Sequence, residues 1–149
     1  MLTSSHVRLG VSATVFKTDG RILLVQSTAR GWGLPGGFVE FMEWPLDALQ
    51  RELSEEAAIR TTTDRYVGLY ATLQDTGLLL TAHFCGRHTE GIATPDGHEI
   101  IDTAWFSPRE ALSAVQYQPH LVRLQDSLDQ STCRYAESSR NPWQTLKWI

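Results

Sequence analysis

The sequence predicts an α/β fold of the α+β kind, with helices packed on a mixed β-sheet, and three observations carry that expectation. Alternating, β-rich segments recur at 6–16, 21–26, 66–73, 78–86 and 101–106. Leucines repeat at helical spacing between Pro45 and Ala58. The order along the chain is strands, helix, strands, helices, which suits helices laid against a sheet.

Each element has a local reason. "HVRLGVSATVF" (6–16) alternates, Asp19-Gly20 supplies a tight turn, and "RILLVQ" (21–26) follows, so the first two strands read as a hairpin. "STARGWGLPGG" is punctuated by Gly and Pro and reads as a loop. Pro45 suits the first position of a helix over 45–58, on which Leu46, Leu49, Leu53 and Ala57 form the expected core face. "YVGLYATL" (66–73) and "LLLTAHFCG" (78–86) read as strands joined at Asp75-Thr76-Gly77, and 87–99 reads as a polar loop before the strand "IDTAWF". Ser107-Pro108-Arg109-Glu110 has capping-box spacing for a further helix. "HLVRLQDSLDQ" (120–130) is an amphipathic helix, and 131–149 reads as a polar tail carrying Trp143 and Trp148.

The chain has 149 residues, the size of one domain, and is read as a single domain over 1–149. A formal net charge of -4 argues against general nucleic-acid binding. No apolar stretch approaches the roughly 20 residues of a membrane span, and "MLTSSHVRLG" does not read as a signal peptide. Cys85 and Cys133 make neither a disulfide framework nor a zinc site, and Cys85 sits in an apolar run. The expectation is a cytoplasmic protein with no membrane partner.

The helix carries Glu52, Glu55 and Glu56 within five residues. At 100° per residue the leucine stripe covers about 80° and the three carboxylates span about 100° beside it. Like charges at this spacing repel by a few tenths of a kcal/mol per pair. A solvated face is one reading. A cage for a hard divalent cation is the other, because such a cation takes oxygen ligands and turns the repulsion into attraction.

Gly37, five residues, Glu43, seven residues and then "RELSEEAAI" (51–59) resembles the signature of the Nudix hydrolases, with Ala58 where that pattern has its last glycine. "GWGLPGG" before this box and "HEIIDTAWFSPREAL" after it look like the usual surroundings, and the resemblance covers roughly 6–125. Nudix enzymes cleave a nucleoside diphosphate linked to another moiety. The resemblance implies the Nudix fold, an α/β/α sandwich with a central mixed sheet, and a small-molecule nucleotide substrate. It also implies Mg²⁺, or Mn²⁺ as alternative, in one to three ions.

By the same resemblance Glu52, Glu55 and Glu56 hold metal with the backbone carbonyl of Gly36, and Arg51 organises the box by pairing with Glu43 or Glu52. The general base lies within the box, where Glu55 is the candidate, or in the loop before a late strand. Glu99 occupies that second place as base or further metal ligand, with His98 as its rival and Glu40 near the metal site. Arg30 is a candidate phosphate contact. Trp32, Tyr70, Phe84 and Tyr117 are candidates to stack on a base, although aromatics in strands are usually core. His83 on an apolar strand reads as a core histidine. Trp143 and Trp148 are read as intramolecular packing or a homodimer contact. Ala58 either accepts a left-handed backbone or the helix ends differently there. The expected activity is hydrolysis of a nucleotide sugar or ADP-ribose type substrate. The alternatives are a MutT-like nucleoside triphosphate pyrophosphohydrolase and a non-catalytic nucleotide-binding module.

Overall fold

The computed structural model describes residues 6–130, 133–140 and 143–149, the last stretch without the side chains of Trp143, Thr145 and Trp148. Four strands come first: β1 (Val7–Phe16), β2 (Ile22–Ser27), β3 (Gly31–Gly33) and β4 (Gly36–Phe38). Helix α1 (Pro45–Ala57) follows, then β5 (Arg60–Gln74), β6 (Gly77–Glu90) and β7 (Ile100–Phe106). Helices α2 (Pro108–Ala114) and α3 (Gln118–Leu128) precede β8 (Arg134–Arg140) and β9 (Trp143–Trp148). One mixed sheet runs β3-β2-β1-β6-β5-β8-β9, with β4 on β1 and β7 on β2. The β1·β6 and β5·β8 pairs are parallel.

Residue alternation explains the layers. On β2, Leu23 and Val25 join Val11, Ala13 and Val15 under Leu49, Leu53 and Ala57 of α1. Their neighbours Ile22 and Leu24 point the other way, to Leu34, Ala111 and Val115 and to Leu124 of α3. Burying both faces requires apolar residues in unbroken succession on β2, and "ILLV" is that run.

Four sequence expectations change. The hairpin of β1 and β2 closes only at Phe16↔Ile22. Beyond that pair β1 runs beside β6 from Val7↔Leu78 to Phe16↔Arg87, and β2 pairs with β7. Strands β5 and β6 extend well past the expected bounds, reaching Arg60 and Glu90, because each pairs the other's polar end. The polar tail contains two strands, with β8 added to β5 and β9 to β8. Leu46 is 45% exposed, and Ala48 takes its place among the buried residues of α1. The side chains of Trp143 and Trp148 lie outside those described. No helix among the described residues is long and apolar enough to cross a membrane.

Candidate active site

Helix α1 sets the site. Its buried arc runs from Ala48 through Leu49 and Leu53 to Ala57, and at 100° per residue Glu52 and Glu56 fall inside that arc rather than beside it. Glu52 is accordingly 15% exposed at its side chain and Glu55, further round the helix, 59%. Pro45 starts the helix, Trp44 makes no side-chain cap, and Asp47 stands in the first turn. Ala58 ends it at φ 55° and ψ 34°, with its N–H donating to the Ser54 carbonyl, so alanine accepts the left-handed conformation.

Strand β4 brings backbone against this acidic face. The Gly36 N–H donates to Glu56 Oε2 at 2.9 Å. A Cβ on Gly36, whose φ is 153°, would strike the Val11 carbonyl, and one on Gly37 would strike the Glu52 carboxylate. At Gly36, where the obstacle is backbone, only glycine permits this approach.

Arg51 ties the parts together. Its Nε and Nη2 donate to the two oxygens of Glu43 at 2.8 and 3.0 Å. Its Nη1 donates to Glu52 and Glu55 at 2.9 and 3.2 Å, and Nη2 also reaches the Phe38 carbonyl at 2.9 Å. Glu40 stands 3.9 Å from Nη1. Hydrogen bonds from Arg51 and from the Glu40 N–H hold the Glu43 carboxyl down at about 2, and Glu43 in turn holds Arg51 cationic.

The remaining carboxylates repel one another. Burial, with Glu52 and Glu99 adding repulsion, pushes Glu56 up to about 8. Burial also raises Glu52, with Glu55 and Glu99 contributing and Arg51 opposing. Glu99 is exposed in the loop before β7, and its charge is felt at both residues. That loop is held by contacts the sequence reading passed over. Asp96 Oδ1 accepts from the N–H groups of His98 and Ile100 at 2.7 and 3.0 Å, and the Thr94 N–H donates to the Ala57 carbonyl at the end of α1. The signal was "PDGH", where an Asp hydrogen-bonds backbone two residues on.

A groove opens where β1 and β2 part. Gly10, Val11 and Ser12 of β1 and Val25 and Ser27 of β2 line it, with Glu56 from the α1 side and His120 and Arg123 from the α3 side. Arg30 lines the groove and its guanidinium stands 5.6 Å from the Tyr117 ring centroid. Trp32 packs edge-on against Phe106 at 5.1 Å, in the second core layer, and is not among the lining residues. Tyr66 packs against Phe84, and Tyr70 donates to Asp126 at 2.7 Å. His83 is fully buried, as expected of a core histidine. Ser12, His120 and Arg123 were missed as site residues. For Ser12 the one sequence signal was that it and Thr14 are polar residues interleaved with Val11, Ala13 and Val15.

The sequence matches the NUDIX domain over residues 6–125. The chain belongs to the NUDIX family. It is 30% identical over 122 residues to a MutT-like protein of Streptomyces ambofaciens, covering 81% of this chain and 77% of that one. It is 35% identical over 108 residues to the CTP pyrophosphohydrolase of Escherichia coli (strain K12), covering 68% and 78%. Among solved structures, the Escherichia coli ORF135 protein superposes with TM-score 0.71 at 28% identity, covering 87% and 94%. The MutT protein of Bacillus halodurans superposes at 0.80 and 19% identity, covering 95% and 96%, which shows the shared fold. The chain is therefore a NUDIX hydrolase acting on pyrophosphate bonds of nucleotide derivatives, and enzymes of this family use divalent metal ions.

The residues present fit such an ion. Every donor is a hard oxygen, which Mg²⁺ and Mn²⁺ prefer, and a cation relieves both the burial and the mutual repulsion of Glu52 and Glu56. Among the described residues no three acidic, His or Cys side chains already form a cage. Arg51 draws Glu52 and Glu55 to itself, so ligation requires these side chains to turn.

Proposed function

We propose that this NUDIX hydrolase converts a nucleoside triphosphate and water to the monophosphate and pyrophosphate. The observation that carries the hydrolytic reading is the close approach of Glu52 and Glu56 to the glycine backbone of Gly37 and Gly36. Similarity to a CTP pyrophosphohydrolase at 35% identity supports reading the substrate as a triphosphate rather than a nucleotide sugar or ADP-ribose. In this reading Glu52, Glu55, Glu56 and the Gly36 carbonyl hold the metal. A bound divalent ion would neutralise the phosphates and lower the pKa of water. Glu99 accepts the proton of the attacking water, because its carboxylate takes no hydrogen bond among the described residues while Glu55 is held by Arg51. Arg30, exposed on the rim of the groove, contacts a phosphate.

The experiment is a product assay by mass with Mg²⁺ and Mn²⁺, across four nucleoside triphosphates, ADP-ribose and UDP-sugars. Monophosphate plus pyrophosphate is the expected result. Turnover of a nucleotide sugar or ADP-ribose alone would overturn the triphosphate reading, and tight binding without any turnover would overturn hydrolysis.

A further inference from the structure

A buried cation without a counter-charge lines the groove on its α3 side. Arg123 is 7% exposed, and among the described residues it forms no ion pair with any carboxylate. Removing a guanidinium from water costs several kcal/mol unless something compensates. Asp126, three residues along α3, is occupied by the Tyr70 hydroxyl at 2.7 Å. The Tyr70 ring itself lies 5.8 Å from the guanidinium, a weak compensation. Burial pulls Arg123 down to about 10, so it remains charged at neutral pH.

The guanidinium is held in place by neutral groups. Nη1 donates to Ser12 Oγ at 3.0 Å. Ser12 Oγ, having accepted there, passes its own proton toward His83 Nδ1 at 2.7 Å. The His83 Nε2–H then faces Thr14 and Ser127 hydroxyls, both at 3.0 Å. Ser127 donates to the Arg123 carbonyl at 2.8 Å, closing a ring of hydrogen bonds on the residue it started from. Nothing in this ring is anionic. Nε is buried and has no partner among the described residues, so the guanidinium is not fully satisfied by the protein around it. His120 adds a donor rather than an acceptor: its Nδ1 takes the Leu34 N–H at 3.1 Å, which leaves the proton on Nε2. Arg30 adds further positive charge to the same groove. The one carboxylate among the lining residues, Glu56, belongs to the α1 side.

We infer that Arg123 is the base-reading residue of this site, and that the groove selects a nucleobase edge bearing two adjacent acceptors. Cytosine offers O2 and N3, and guanine offers O6 and N7. Adenine places an amino donor beside each exposed ring nitrogen on its Watson–Crick and Hoogsteen edges, and uracil interrupts its two carbonyls with an N–H, so both meet a donor with a donor. An arginine fork against paired acceptors discriminates by about 1–3 kcal/mol. Arg123 borders the acidic side of the same groove: Ser12, which anchors it, is the register partner of Gly36, whose N–H meets Glu56. This inference rests on the reading of the site as a nucleotide hydrolase.

The test is kcat/KM of the full chain for CTP, GTP, UTP and ATP with Mg²⁺, in the wild type and in Arg123→Met. Wild type is expected to favour CTP or GTP. Arg123→Met is expected to lower kcat/KM for the favoured nucleotide by about 5- to 150-fold, mainly through KM, and for the others less than threefold. An equal loss on all four would make Arg123 a phosphate contact or a structural residue and overturn the inference, as would a wild-type preference for ATP or UTP. Should Arg123→Met fail to fold, Ser12→Ala loosens the same guanidinium; a weakened base preference in that variant is the supporting result, and an unchanged preference overturns the inference. Should no nucleotide be hydrolysed, the proposed function fails, and calorimetric binding of CMP and GMP against AMP and UMP still decides the base preference.

Discussion

Arg51 grips both carboxylate oxygens of Glu43, at 2.8 and 3.0 Å, and uses its remaining donors on Glu52, Glu55 and the Phe38 carbonyl. A bidentate pair fixes the plane of the guanidinium as well as its position. Glu43 thereby sets where Arg51 stands among the acids of α1.

Glu43→Gln keeps the size of the side chain and removes half of that grip. Partners of this kind typically change metal affinity or activity by about 10–100-fold when lost. The expected outcome is a fall of that order in kcat/KM, with Mn²⁺ affinity, read by titration, falling alongside. Unchanged values in both would remove the organising role. Thermal stability should move little, because the pair is near solvent.

Glu56→Gln separates chemistry from stability. The Glu56 carboxyl sits at about 8 in the folded chain against an ordinary value of 4.5. Between those values the unfolded chain is ionised and the folded chain holds the proton, so stability declines as pH rises through this window. In chelator at pH 8–9 the glutamine variant is expected to be as stable as wild type or more so, while activity with Mg²⁺ falls by orders of magnitude. A destabilised variant with normal turnover would contradict both halves.

Ala58 bears a left-handed backbone that disfavours any side chain. Ala58→Gly is expected to raise the unfolding free energy by up to about 1 kcal/mol in a urea titration. Glycine adopts the same left-handed backbone that Ala58 already has, so the placement of Glu52, Glu55 and Glu56 is retained and kcat is expected to stay within twofold. A loss of stability would show that Ala58 is unstrained.

His83 is held neutral, well below its ordinary pKa, chiefly by burial and then by the charges of Arg123 and Arg65. A depressed folded pKa contributes stability that is present above about 6.5 and lost as pH falls. The stability difference between wild type and His83→Gln is therefore expected to shrink from pH 7 to pH 5, by at most about 1.4 kcal/mol per pH unit. A constant difference across that range would mean that His83 protonates in place.

The box was legible because its information is local. Glycines, Glu43, Arg51 and the glutamates of α1 follow one another at spacings a helix repeats, and the capping box of α2 forms as its spacing requires, with both bonds in place. Strands β8 and β9 were not legible, because "RYAESSR" is polar and becomes a strand only on meeting β5, some 66 residues earlier, at Gly68↔Arg134. Leu46 looked like core because periodicity reports direction around the helix, not whether sheet lies beneath its first turn.

By itself the sequence determined the family and the acidic helix, since these depend on residues close in the chain. Tertiary structure decided which acids are buried, how Asp96 holds the loop of Glu99, and that β1 and β2 part to leave a groove. It also decided the surroundings of Arg123. Ser12 and Arg123 are 111 positions apart, and Ser12 and His83 are 71 apart. Burial and hydrogen bonding at that separation depend on which strands pair, and no local pattern carries that information.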